Sequence, residues 1–135
     1  MNILLKKLNF LLVAHILIFA AIPPHKISPE LASLLSDPSN HLYFSSASIW
    51  EISIKESLGK RDFKVSSKKL HGGLLENGYT EIKVSALHAM EVIKLPFIHR
   101  DPFDRVLVAT AIWENMPLLT NDSTLSSYHS LVRVL

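Results

Sequence analysis

The sequence predicts an α/β domain, a parallel sheet covered by helices. Three observations carry that prediction. Segments of strand and helix character alternate along the chain, with no internal repeat, low-complexity tract or linker between them. The stretch "LNFLLVA" (8–14) is apolar apart from Asn9, the pattern of a strand buried on both faces. With 135 residues, 48% of them hydrophobic, the chain has enough apolar side chain for one domain around one core.

The elements follow in order. "LNFLLVA" is the first strand, and the apolar residues after it suit a short helix that Pro23 and Pro24 would close. In "SPELASLL", Ser28 is placed to cap a helix and Pro29 to occupy its first position. "HLYFS" is the second strand, and "SASIWEISIKESLG" the helix after it, with Gly59 placed to end it. "SSKKLHGGLLENG" reads as an amphipathic helix that Gly72 and Gly73 weaken. "TEIKV" is the third strand and "SALHAMEVIKL" the next helix, capped by Ser85. "DPFDRVLVATAIWEN" has the plainest helical pattern in the chain, followed by a strand in "PLLT" and a last, weak strand in "LVRVL".

Composition removes several function classes. There is no cysteine, so neither a disulfide framework nor a thiolate metal site can form, which suits a reducing cytoplasm. Seven histidines include no pair at i, i+4, which leaves zinc chemistry on one helical face unsupported. A formal charge of +2 tolerates an anionic partner without demanding one. Lys60, Arg61, Lys64, Lys68, Lys69 and Arg100 could face phosphates, but solvated surface lysines and arginines look the same in sequence, so none is assigned a role. Lys6 and Lys7 before the apolar run from Leu8 to Ile22, with Ala20 and Ala21 near its end, resemble an export signal. The run is shorter than the ~20 residues that cross a bilayer and carries His15 at its centre. It has the length of a buried strand plus a short helix.

In a sheet of this kind ligands sit beyond the carboxyl ends of the strands, so the residues following each strand are the ones to weigh. Glu51 lies early in its helix among Ile49, Trp50, Ile52 and Ile54, where an ionised carboxylate needs a partner. An i, i+4 pair with Lys55 would serve, and so would a metal. Asp101 is a good N-cap ahead of Pro102, which accounts for it without any site. Asp104 suits the helix dipole but is followed by Arg105 and an apolar helix that must be buried. Asp122 after "LLT" could be an ordinary turn aspartate. Glu51, Asp104 and Asp122 together match a hard-cation site, because Mg2+ or Mn2+ prefers oxygen ligands brought in from separate elements and can activate water against a phosphodiester. No glycine-rich phosphate loop or "GxSxG" offers a rival chemistry.

"FSSASIWEISIKESLGK", "HRDPFDRVLVATA" and "LLTND", in this order and spacing from about Leu8 to the C-terminus, resemble the PIN domain nucleases of the VapC-like toxin family. The resemblance implies a three-layer α/β/α sandwich over residues 8–135, with residues 1–7 an extension of unexplained purpose. It implies a metal-dependent (Mg2+ or Mn2+) endoribonuclease in the cytoplasm, an RNA substrate, a cognate antitoxin that blocks the site, and a homodimer. Family metal-holding positions fall on Glu51, Asp104 and Asp122, with Asp101 close by. Ser45, Ser48 and Thr120 match small hydroxyl positions that orient these acids in relatives, and Lys55 the lysine one turn beyond the glutamate.

Relatives of this type begin with a strand ending in "DTH", where this chain has Val13-Ala14-His15. Val13 therefore stands at the position of the first metal-binding aspartate. An isopropyl group cannot ligate a cation, so the resemblance implies a nuclease architecture with impaired activity, or an inactive binding module that sequesters an antitoxin. The same alignment makes the apolar N-terminal run the first strand and helix of the domain, which removes most of the case for export.

Overall fold

A computed structural model of the chain describes residues 8–21 and 27–135. The expected extension over residues 1–7, the Lys6–Lys7 pair and the Pro23–Pro24 break lie outside the described residues. Strands β1 (Leu8–Leu12), β2 (Asn40–Ser45), β3 (Thr80–Ile82), β4 (Leu118–Thr120) and β5 (Val132–Val134) form one sheet in the order β3-β2-β1-β4-β5. Every pairing is parallel, with Leu8 opposite Asn40 and Leu12 opposite Leu119. Around the sheet are helices α1 (Ala14–Ala21), α2 (Pro29–Ser36), α3 (Ser46–Ser57), α4 (Ser67–Glu76), α5 (Ala86–Glu91) and α6 (Pro102–Glu114). This is the helix-covered parallel sheet that the sequence predicts and the α/β/α sandwich that the family resemblance implies.

Parallel strands cannot be joined by hairpins, so each connection crosses a face of the sheet, and with right-handed crossovers the β1–β2 and β2–β3 connections cover one face. The β3–β4 connection returns past β1 and covers the other. Strand order therefore reverses between β1 and β4, and the crevice beyond their carboxyl ends is where such folds bind ligands.

The central strands are buried as their composition requires. Phe10, Leu11 and Leu12 of β1, Phe44 of β2, and Leu118 and Leu119 of β4 join Leu107 and Val108 of α6 in one core. Burying each such side chain contributes roughly 1.5–3 kcal/mol. Three helices begin on the residue expected: the side chains of Ser28, Ser85 and Asp101 accept backbone N–H bonds from Leu31, His88 and Phe103. Ser66 caps α4 in the same way, accepting from the Lys69 N–H.

Boundaries differ from expectation in two places, each for a local reason. The first strand stops at Leu12 and α1 starts at Ala14, because the Leu17 N–H already bonds to the Val13 carbonyl. The helix over 85–95 tightens into a 3-10 turn at Val92–Lys94 ahead of Pro96, which cannot donate to the next turn. Gly72 and Gly73 do not break α4, which packs Leu70 and Leu74 into the core. Gly59 lies just past α3 with φ 65°, a left-handed conformation open to glycine.

Candidate metal centre

The crevice between β1 and β4 holds a hollow of about 190 Å³. Its walls come from four parts of the fold. Val13, Ala14 and His15 follow β1, Glu51 and Lys55 project from α3, Asp101 and Asp104 open α6, and Asp122 follows β4. A larger cleft of about 800 Å³ runs between α1, α2 and α4, but no carboxylate lines it.

Local sequence explains how each acid arrives. The Ser45 side chain accepts the Ala47 N–H at 3.0 Å, so α3 starts directly off β2 and carries Glu51 over the end of the sheet. Asp101 caps α6 through a 2.9 Å bond from the Phe103 N–H, which places Asp104 in the first turn. The rings of Trp50 and Phe103 meet edge to face with centroids 5.1 Å apart, fastening α3 to α6 one residue before Glu51 and one before Asp104. The Asp122 N–H donates to Thr120 Oγ1 at 3.0 Å, and its Oδ1 accepts the Thr124 N–H at 2.9 Å, leaving Oδ2 directed at the hollow.

The electrostatics report crowding. Burial first, then the neighbouring charges of Asp101 and Glu51, push the Asp104 carboxyl up to about 6, against a weaker opposing pull from His99. Bonds from the Thr124 side chain and backbone hold the more exposed Asp122 below the usual carboxylate range. Lys55 Nζ lies 3.3 Å from Glu51 Oε2, so the helical ion pair considered from sequence does form, even as Glu51 adds to the negative field on Asp104.

Of the residues singled out from sequence, the structure brings Glu51, Asp104, Asp122, Asp101 and Lys55 to one hollow. Val13 lines it too, buried, and His15 is exposed at its edge. Of the three hydroxyls, Thr120 tethers the Asp122 backbone and Ser45 caps α3, while Ser48 Oγ is buried with no hydrogen-bond partner among the described residues. One contributor went unnoticed in the sequence. His99 Nε2 is 3.7 Å from Asp104 Oδ2 and 4.0 Å from Asp122 Oδ2, and these three residues offer ligand atoms within 4.8 Å of one another. His99 precedes the α6 cap in irregular chain, and its place at the head of "HRDPFDR" is the signal that could have found it.

Comparison with known proteins bears on the family and the fold. A model of the PIN domain matches residues 11–130. The chain belongs to the PIN domain family. Among solved structures, it resembles VapBC2 from Rickettsia felis, crystallised bound to a DNA fragment from their promoter. That similarity has a TM-score of 0.66 and 19% identity, covering 94% of this chain and 98% of that one. It also resembles FitAcB from Neisseria gonorrhoeae, with a TM-score of 0.51 and 14% identity over 86% of this chain and 89% of that one. At such identities the shared property is the fold. No curated protein matches the chain.

PIN domains generally use a divalent metal, and the residues of this hollow fit one. Their donors are carboxylate oxygens, the choice of Mg2+ and Mn2+. Asp104 and Asp122 belong, with His99, to a group whose possible ligand atoms lie within 4.8 Å of one another, Glu51 standing outside that group on the wall of the same hollow, and burial together with the charges of Asp101 and Glu51 makes an ionised Asp104 costly unless a cation neutralises it. Among the described residues, no helix is long and apolar enough to cross a membrane.

Proposed function

We propose that this PIN domain is a VapC-like endoribonuclease toxin of a toxin–antitoxin pair, dependent on Mg2+ or Mn2+ and weakened by Val13. The observation that carries the reading is the meeting of Glu51, Asp104 and Asp122 at the sheet's switch point, in the hollow that Val13 also lines. Asp104 and Asp122 would hold the ion directly, with Glu51 on the facing wall. Such an ion, when bound, lowers the pKa of a coordinated water and offsets charge on the phosphate under attack. The chain's own residues supply the rest. Thr120 holds the Asp122 backbone and Thr124 its carboxylate, Asp101 sets the start of the helix bearing Asp104, and Lys55 and His15 place positive or neutral donors at the rim where a phosphate would enter.

Val13 takes away one ligand and one negative charge, which reduces both cation affinity and the drive to form a metal-bound nucleophile. Cleavage of single-stranded RNA in Mn2+ by the protein and by Val13→Asp tests this. The expected result is weak cleavage that the aspartate raises by at least ~10–100-fold, the scale on which metal ligation responds to lost partners. Equal, robust cleavage by both would overturn the impairment.

The VapBC complex among the structural neighbours supports a cognate antitoxin as partner, and the family resemblance supports an RNA substrate, a homodimer and a cytoplasmic location. Residues 8–135 form the domain in this reading, with 1–7 an extension outside it. A second reading, favoured by Val13 itself, is an inactive module that sequesters an antitoxin. Antitoxin capture without cleavage, and with no gain of cleavage in Val13→Asp, would select it.

A further inference from the structure

His99 belongs to no regular element, yet it is among the most firmly held residues of the site. Its backbone N–H donates to Tyr128 Oη at 2.7 Å, and the same hydroxyl donates to the His99 carbonyl at 3.0 Å. Tyr128 Oη is fixed in turn by Arg105 Nη1 at 3.2 Å. Arg105 is buried and also donates to the Pro96 carbonyl at 2.8 Å and the Val92 carbonyl at 3.3 Å, so a single guanidinium gathers the segment that leads into His99. The result is a loop residue with the backbone definition of a helix.

The ring is oriented as well. His99 Nδ1 accepts the Asp101 N–H at 3.1 Å. A nitrogen that accepts a hydrogen bond carries no proton, so in the neutral imidazole the proton resides on Nε2. That nitrogen faces the gap between Asp104 Oδ2 and Asp122 Oδ2, at electrostatic rather than hydrogen-bonding range. For Nε2 to ligate a metal instead, its lone pair would have to be free and Nδ1 would have to carry the proton, which the Asp101 N–H opposes.

We propose that the Nε2–H dipole of His99 competes electrostatically with a divalent cation for Asp104 and Asp122, and so sets the affinity of the centre rather than ligating the ion. This rests on reading the hollow as a cation site. It also assigns work to the Arg105–Tyr128 pair, which is to hold the competitor in place. The positive end of an N–H dipole and a cation both seek the same two oxygens, so removing the first strengthens binding of the second.

The test is a Mn2+ titration of the full chain, following free Mn2+ by its paramagnetic resonance signal, for the protein, His99→Leu and His99→Gln. Leucine fills the space without a donor, whereas the glutamine amide can place an N–H near the position of Nε2. The expected result is several-fold tighter binding in His99→Leu and parental affinity in His99→Gln. Weaker binding in both variants would make His99 a ligand and overturn the proposal, as would unchanged affinity in both. Long-range 1H–15N correlation on the metal-stripped protein at pH 8 adds a readout that mere folding does not move. The proton should be on Nε2 of His99, and a proton on Nδ1 would also overturn the proposal. If neither the parent nor His99→Leu takes up Mn2+, the cation site itself fails and the competition fails with it. A parent that binds while His99→Leu binds no tighter refutes only the role of His99.

Discussion

The two walls of the hollow are built on different principles. On the α6 and β4 side, the groups around Asp104 are held by polar partners: Asp101 caps its helix, Thr120 and Thr124 hold Asp122, and Tyr128 with Arg105 holds His99. On the β1 side, Val13 occupies the position from which α1 starts, and its side chain has no acceptor to offer the first turn. Helices α2 to α6 all begin on a serine or aspartate whose side chain accepts an N–H. The difference teaches that one wall has the organisation of a charged site, while the other presents a buried apolar side chain to the same hollow.

The sharpest way to break this comparison is to attack the polar wall. Asp104→Asn removes a charge from the centre of the cluster, and Mn2+ affinity is expected to fall by ~100-fold or more, beyond the range typical of outer-shell partners. Calorimetric titration reads this directly, and retained affinity would show that the acids meet for no metal. The converse change acts on the apolar wall. Val13→Asp without metal adds a fifth acid to a hollow already lined by Glu51, Asp101, Asp104 and Asp122 and gives up apolar burial, so it is expected to lower stability by about 2 kcal/mol. Val13→Asn separates charge from capping. It gains a cap worth ~1 kcal/mol, which offsets most of the burial lost, and should stay within about 1 kcal/mol of the parent in urea denaturation. Mn2+ should restore Val13→Asp preferentially, by mass action on the folded state.

A third measurement uses pH. Asp104 has its carboxyl pushed up to about 6 in the fold against an ordinary value of 3.8. Between those values the native state binds more protons than the unfolded one, so this group's contribution to stability falls as pH rises and is least favourable above pH 6. Asp104→Asn removes that penalty. Without metal the variant should match the parent near pH 4 and exceed it by about 1–2 kcal/mol at pH 7, less than the ~3 kcal/mol of the full shift because water reaches the hollow. A pH-independent difference between the two would deny that Asp104 is crowded by its neighbours.

The fold was legible because local and global signals agree: a largely apolar first strand, serine and aspartate caps, and a Pro at the start of α2 and of α6 each point to the same element. Strand order was not legible, since nothing in "PLLT" says that it pairs with β1 rather than β3. The acids were visible one by one, each with an adequate local explanation, and only the fold shows that Asp104 senses Glu51, Asp101 and Asp122 at once. His99 and the Arg105–Tyr128 support were invisible for the same reason. Tyr128 lies 29 positions after His99, and no periodicity links a residue between helices to a ring near the C-terminus. Periodicity reports elements, whereas a site is made from their ends.

The smallest expected effect bears on Glu51, which has claims from both sides. Its bond to Lys55 is an i, i+4 pair with a half-exposed lysine, worth about 0.3–0.5 kcal/mol, so Lys55→Met should change stability by no more than that. The same carboxylate contributes to the negative field on Asp104, and freeing it from Lys55 makes the hollow more negative. Mn2+ affinity should then rise by about 2–5-fold, and the gain should shrink in high salt as surface charges are screened. If Glu51 were only a helix ion pair, Lys55→Met would move stability and leave the titration where it was. A rise in affinity with almost no change in stability would put Glu51 in the polar wall, and the lysine would then be its competitor as His99 is for the aspartates.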